Sequence, residues 1–157
     1  LEDKGILDDT VIVLLADHYP YGLTLDEINE LSSYERDGNF EINHNALIIY
    51  NSSMKNVNIT KTGMPIDVLP TIYNLFGIRY DSRLLAGNDL LSNSEGMVIL
   101  DNLSWITDKG RYDSLNNKYY GDIDNTYVNN INNIIQNKII FSRNMIMYDG
   151  YRYIKEK

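Results

Sequence analysis

Two adjacent residues that could bind a metal ion, Asp17 and His18, follow an apolar run, Thr10 to Leu15, and precede a turn-rich segment, residues 19–22. A carboxylate oxygen and a neutral imidazole nitrogen suit Mn²⁺ or Zn²⁺, whereas sites built only from oxygen suit Mg²⁺ or Ca²⁺. In the structural alternative, Asp17 caps the turn that follows it and His18 is an ordinary loop residue. The pair alone does not separate these two interpretations.

The run Thr10 to Leu15 is predicted to be the strand that positions this pair. It is rich in β-branched residues and has no polar alternation, which is typical of a strand buried on both faces in the middle of a parallel sheet. In open α/β sheets, ligands bind at the carboxyl ends of such strands. The sequence therefore puts Asp17 and His18 at a position where a cation and a phosphate could bind.

Further helices and strands are predicted along the rest of the chain. Thr24 and Glu27 have the capping-box spacing and begin a short helix that ends near Tyr34. Asp67 is predicted to be the N-cap of a second helix, which Gly77 closes. The other predicted elements are a buried strand at Ala46–Tyr50, an edge strand at Val57–Ile59, a strand at Met97–Leu100, an antiparallel meander over Ser104–Thr107, Tyr112–Leu115 and Lys118–Tyr120, and an amphipathic helix over Asp124–Phe141.

Composition and charge exclude several classes of function. The 157 residues include 14 Lys and Arg against 22 Asp and Glu, which gives a net charge of −8. Because a surface that binds phosphate backbones needs clustered basic residues, we expect no nucleic-acid partner. The absence of cysteine excludes disulfides, thiolate catalysis and cysteine-bound zinc. No stretch approaches about 18 apolar residues, so we expect this segment to be soluble.

Four motifs in order resemble the C-terminal part of the sulfatase-like branch of the alkaline phosphatase superfamily. They are Gly5–His18 with its terminal Asp-His, the strand Ala46–Tyr50, the segment Asp67–Ile78 (DVLPTIYNLFGI), and Gly87–Leu91 (GNDLL). The closest likeness is to the lipoteichoic acid synthase and phosphoglycerol transferase group. Each motif is short, but four in this order with similar spacing are specific.

The resemblance implies an α/β fold, namely the C-terminal portion of a three-layer α/β/α alkaline-phosphatase-like domain that spans residues 1–157. It implies a phosphoryl- or sulfuryl-transfer enzyme of the bacterial cell surface, most similar to a phosphoglycerol transferase acting on lipid headgroups. In this family a divalent metal, often manganese, is held by an acidic residue, a threonine nucleophile and an adjacent Asp-His pair. That pair maps onto Asp17 and His18, whereas the nucleophile and the first acidic ligand are expected upstream of this chain.

His44, the other histidine, lies just before the second predicted strand. In two-metal relatives a histidine at a similar place joins the metal site, and in single-metal relatives it contacts substrate or supports a ligand. The structural alternative is a surface-loop histidine.

The resemblance leaves the enzyme class open among transferase, sulfatase and phosphodiesterase, because the nucleophile that separates them is expected upstream. A non-catalytic binding domain on the same core is the alternative from another class.

The resemblance has consequences for location and assembly. The catalytic domain is expected on the extracellular face of the bacterial cell membrane, with a phospholipid or another phosphate or sulfate ester as substrate. The N-terminal half of the domain is expected to be missing from this chain, which by itself should be inactive. Loss of neighbouring strands would expose an apolar face, so we expect the segment to self-associate or to bind the missing half.

Overall fold

A computed structural model describes residues 1–154, and the chain divides into two compact units, Leu1–Asn58 and Ile59–Lys157. The strands are β1 (Ile12–Leu14), β2 (Ile48–Tyr50), β3 (Met97–Ile99), β4 (Trp105–Thr107), β5 (Gly110–Asp113) and β6 (Lys118–Gly121). The α-helices are α1 (Leu25–Glu30), α2 (Val68–Leu75) and α3 (Asn125–Met147), with short 3₁₀ helices at Glu2–Lys4, Pro65–Asp67, Ser82–Leu84 and Gly150–Tyr153. The protein is therefore mixed α/β, as predicted.

The sheet of the first unit differs from the prediction. β1 and β2 form a two-stranded antiparallel pair in which Val13 is opposite Ile49. The prediction of a largely parallel sheet with a fully buried central strand is wrong for residues 1–154, because every strand pairing described there is antiparallel. β1 has one neighbouring strand in its sheet, and Leu14 is 56% exposed. The apolar run therefore forms a strand, but the first unit does not bury this strand on both faces.

Helix α1 begins as the sequence predicts. The Thr24 hydroxyl accepts the N–H of Glu27, and the Glu27 carboxylate accepts the N–H of Thr24 at 2.7 Å. This reciprocal capping box satisfies two backbone donors that the first turn of a helix leaves unpaired. Ile28 is buried on the inner face of the helix, whereas Leu31, three residues further on, is exposed.

The second unit contains the main hydrophobic core. Strands β3 to β6 form a four-stranded antiparallel meander in chain order, which confirms the predicted meander and adds β3 to its edge. Helix α3 starts at its N-cap Asp124, whose carboxylate accepts the N–H of Tyr127 at 2.7 Å. The buried core consists of Met97, Trp105, Val128, Ile131 and Ile135. The predicted apolar face of α3 is thus confirmed in its first half.

Helix α2 has the predicted ends but uses Asp67 differently. Gly77 adopts a φ of +64°, and the N–H groups of Gly77 and Ile78 donate to the carbonyls of Asn74 and Tyr73, which closes the helix. Asp67 makes no side-chain bond to the first turn, so the predicted side-chain cap is wrong. The predicted edge strand at Val57–Ile59 is not formed. Within residues 1–154, no helix has the length and apolar character needed to cross a membrane.

Candidate functional site

Asp17 and His18 lie in the turn that follows β1. The Nδ1 atom of His18 is 2.6 Å from the carbonyl oxygen of Tyr19. A carbonyl oxygen only accepts hydrogen bonds, so Nδ1 carries the proton and Nε2 of the neutral ring keeps a free lone pair. A backbone bond to one ring nitrogen that leaves the other available is the usual arrangement around a metal-binding histidine.

The free nitrogen faces the neighbouring carboxylate. His18 Nε2 lies 3.6 Å from Oδ1 of Asp17, and the two side chains are 46% and 89% exposed. Two ligands at a tetrahedral angle, each about 2.1 Å from one ion, are separated by about 3.4 Å. The pair therefore fits two ligands of a small divalent cation. Within residues 1–154, no group of three or more carboxylates or histidines lies close enough together to hold a metal ion.

Aromatic side chains of the same turn contact His18. The ring of Tyr21 stacks on the imidazole, and Tyr19 packs edge-on against Tyr21 with ring centroids 4.7 Å apart. Sequence reasoning assigned no role to these tyrosines. The available signal was their spacing, one and three residues after His18, within a turn closed by Gly22.

His44 lies in the loop before β2, where two side chains contact it. Its Nδ1 is hydrogen-bonded to the Tyr34 hydroxyl, and Nη1 of Arg36 donates to its carbonyl oxygen. The Arg36 guanidinium also lies over the Tyr34 ring, 5.8 Å from its centroid. Tyr34 and Arg36 thus fix both the ring and the backbone of His44.

An open cleft of about 340 Å³ lies between these two histidines. His18 lines it, as do Arg36 and His44, together with Ala16, Tyr19, Pro20, Ile28, Leu31, Ser32, Ile42, Asn43, Asn45 and Ala46. The structure therefore brings the predicted residues His18 and His44 to one cleft, and Asp17 lies beside it next to His18. Sequence reasoning missed Arg36, because a lone arginine in a polar loop carries no local signal.

Comparisons with known proteins find two similar proteins of one kind. The chain is 28% identical over 128 residues to lipoteichoic acid synthase 2 of Bacillus subtilis (strain 168), which covers 76% of this chain and 19% of that protein. It is also 28% identical over 118 residues to the lipoteichoic acid synthase-like protein YvgJ of the same organism, covering 68% of this chain and 19% of that protein. The chain resembles part of the lipoteichoic acid synthases. The resemblance inferred from the four motifs is confirmed.

The likeness to the lipoteichoic acid synthases has a defined extent. The chain spans about a fifth of the length of the curated relatives it matches. No family model matches the chain. No solved structure matches it either.

Proposed function

We propose that the intact protein is a metal-dependent phosphoglycerol transferase of the lipoteichoic acid synthase type that acts on a lipid headgroup. The similarity to two lipoteichoic acid synthase relatives supports the family. The observation that carries the proposal within this chain is the Asp17–His18 pair, with Nε2 of His18 free and 3.6 Å from the Asp17 carboxylate. We propose an alkaline-phosphatase-like α/β/α domain as the setting of this pair, on the extracellular face of the cell membrane.

In this proposal the chain supplies part of the catalytic centre. Asp17 and His18 hold one divalent metal, for which Mn²⁺ suits the mixed oxygen and nitrogen donors, with Zn²⁺ or the harder Mg²⁺ and Ca²⁺ as alternatives. When bound, the metal lowers the pKa of a coordinated hydroxyl nucleophile and neutralises charge on the transferred group. The hydrogen bond from Nδ1 to the Tyr19 carbonyl keeps His18 in the tautomer that can act as a ligand. His44 acts at the cleft as a substrate contact or a support.

Metal content tests this proposal most directly. We expect the longer protein to contain stoichiometric metal, and Asp17→Ala or His18→Ala to lose the metal together with phosphodiester turnover. Asp26→Ala is the matched control, because Asp26 is an exposed carboxylate on α1. Metal content unchanged by both site variants would exclude the assigned ligands.

The isolated 157-residue chain gives a second test. The proposal puts the nucleophile outside this chain, and catalysis by residues that act as a unit collapses when one is missing. We therefore expect no phosphodiester turnover by the chain with added Mn²⁺. Clear turnover that Asp17→Ala abolishes would contradict the proposed location of the nucleophile.

The same tests distinguish the proposed transferase from two alternative functions. A sulfatase or phosphodiesterase of the same superfamily would bind the same metal but turn over a different ester. A non-catalytic binding domain is favoured by the absence of a three-ligand cluster within residues 1–154, and it would lack stoichiometric metal in the longer protein.

We also propose that β1 and β2 are completed by further protein. Leu14, Ile48 and Tyr50 are exposed large hydrophobic residues on these two strands. Further chain of the same protein, or a second copy, would bury this surface. We expect light scattering of the 157-residue chain to report oligomers, and a monodisperse monomer would contradict this expectation.

A further inference from the structure

Among residues 1–154, Arg36 of the cleft has no acidic partner. Its guanidinium donates to the His44 carbonyl and lies over the Tyr34 ring, and neither of these partners carries a negative charge. The ion pairs described among residues 1–154 involve other cations. Arg83, on the 3₁₀ helix Ser82–Leu84, is one of these and is paired with Asp81. A charged guanidinium held in place beside an open cleft is a ready site for an anion.

The hydrogen bonding of Arg36 is also incomplete. Its Nε atom is buried and has no hydrogen-bond partner in the part of the chain that the structure describes. A buried donor without a partner costs free energy, because it has lost water without gaining another acceptor. An anion that enters the cleft and shifts the guanidinium slightly would supply that acceptor.

The other polar residues at the cleft suit an anion that carries a small polar group. His18 lies at one side beside Asp17, and His44 lies next to Arg36. The volume of about 340 Å³ is at the lower end of the range for small-molecule sites, which suits a phosphate with a glycerol-sized group. Apolar side chains of Ile28, Leu31 and Ile42 line the remainder.

We propose that this cleft binds the phosphate of the ester substrate and that Arg36 is the residue that contacts the anion. This assignment rests on the proposed function for its substrate class, a phosphate ester. The imidazole of His44, oriented by Tyr34, lies beside the same phosphate. Arg36 then determines specificity for an anionic group, while Asp17 and His18 provide the metal ligands.

Phosphate binding to the 157-residue chain tests the proposal. We would titrate inorganic phosphate and glycerol 1-phosphate into the chain, with and without Mn²⁺, and follow the Arg36 Nε–H resonance and the calorimetric affinity. We expect Arg36→Gln to weaken phosphate binding by about tenfold or more, the effect of losing one charge-assisted hydrogen bond. Arg83→Gln is the matched control, since it removes an arginine already paired with Asp81. Circular dichroism checks that each variant is folded.

Further binding measurements identify the source of the anion, and a second variant is available in case the first does not fold. Tighter binding of glycerol 1-phosphate than of phosphate supports a headgroup site, as does Arg36-dependent binding to phosphatidylglycerol vesicles over phosphatidylcholine vesicles. Equal binding of the two soluble anions supports a site for phosphate alone. If Arg36→Gln does not fold, Arg36→Lys takes its place. Lysine keeps the positive charge but lacks the planar guanidinium, so we expect a smaller loss of phosphate affinity, about threefold.

The outcomes separate this proposal from the proposed function. No shift of the Arg36 Nε–H on adding phosphate, or equal affinities in wild type and Arg36→Gln, overturns the anion site. Loss of metal in Asp17→Ala with unchanged phosphate binding by the metal-free chain supports both assignments separately. Arg36-dependent phosphate binding by a protein that never binds metal would retain the anion site and reject the metal-dependent enzyme.

Discussion

The imidazole of His18 stacks on the ring of Tyr21, with centroids 4.3 Å apart and ring planes 7° from parallel. The same imidazole donates from Nδ1 to the carbonyl of Tyr19 at 2.6 Å. One contact fixes the plane of the ring and the other fixes its rotation within that plane. Together they direct Nε2 towards Asp17, so the turn after β1 holds a ligand pair in a defined orientation.

Replacing Tyr21 with Leu should weaken metal binding without removing a ligand. Aromatic pairs of this kind contribute about 0.5–1.5 kcal/mol beyond their buried area, which corresponds to a loss of about two- to tenfold in metal affinity. The measurement is Mn²⁺ affinity of the longer protein by calorimetry. Tyr148→Leu is the control, because Tyr148 is an exposed tyrosine in the other unit. Equal affinities for wild type and Tyr21→Leu would show that the stacking does not orient His18.

Gly87 should not tolerate a side chain. A Cβ atom at this position would lie 2.0 Å from the carbonyl oxygen of Ile66, so the backbone itself would have to move. Overpacking of this kind costs about 1–3 kcal/mol. We expect Gly87→Ala to lower the urea unfolding midpoint clearly. Gly22→Ala is the matched control, because a Cβ there meets no atom within 4 Å. Similar midpoints for the two variants would contradict the close approach.

Asp67→Asn should destabilise the second unit. Asp67 is 3% exposed, and its two carboxylate oxygens accept the N–H groups of Met64 at 2.9 Å and Asn88 at 2.7 Å. An asparagine turns an NH₂ group towards one of these donors, which leaves a buried N–H unpaired at a cost of about 1–3 kcal/mol. Urea unfolding measures the loss, with the exposed Asp122→Asn as control. A loss of stability no larger than that of the control would show that the hydrogen bonds of Asp67 to Met64 and Asn88 do not stabilise the unit.

Asp108 should give the second unit a pH-dependent contribution to stability. Burial acts to raise its pKa, but the N–H groups of Gly96 and Thr62, which its carboxylate accepts, outweigh burial and hold the pKa below the ordinary value. A lowered folded-state pKa stabilises the protein above the unfolded-state pKa of about 3.9, and this contribution is lost as the pH falls through the folded-state pKa.

The corresponding experiment compares wild type with Asp108→Asn. The thermal midpoint of the variant should be lower at about pH 7, and the difference should narrow as the pH falls to about 3. An NMR titration of the Asp108 carboxyl gives its pKa directly. A difference in midpoint that stays constant over this range would mean that the charge of Asp108 does not contribute.

Several features followed from the sequence because they depend on residues close together in the chain. The Thr24–Glu27 capping box, the start of α3 after Asp124 and the Gly77 helix end each depend on residues that lie within a few positions of one another in the chain. The meander and the first half of α3 followed from short alternating or 3.6-residue apolar patterns. The adjacency of Asp17 and His18 and the order of the four motifs likewise needed only the printed residues.

The tertiary structure decided how residues distant in the chain meet. An apolar run predicts a strand, but the number of its neighbours depends on where the chain returns, so the antiparallel pairing and exposure of β1 and β2 were not predictable. Asp67 had the sequence context of a helix cap, yet the return of Asn88 gives its carboxylate a second acceptor role. Arg36 reaches His44 because a loop folds back on itself. Contacts of this kind depend on loop closure, which no local pattern encodes.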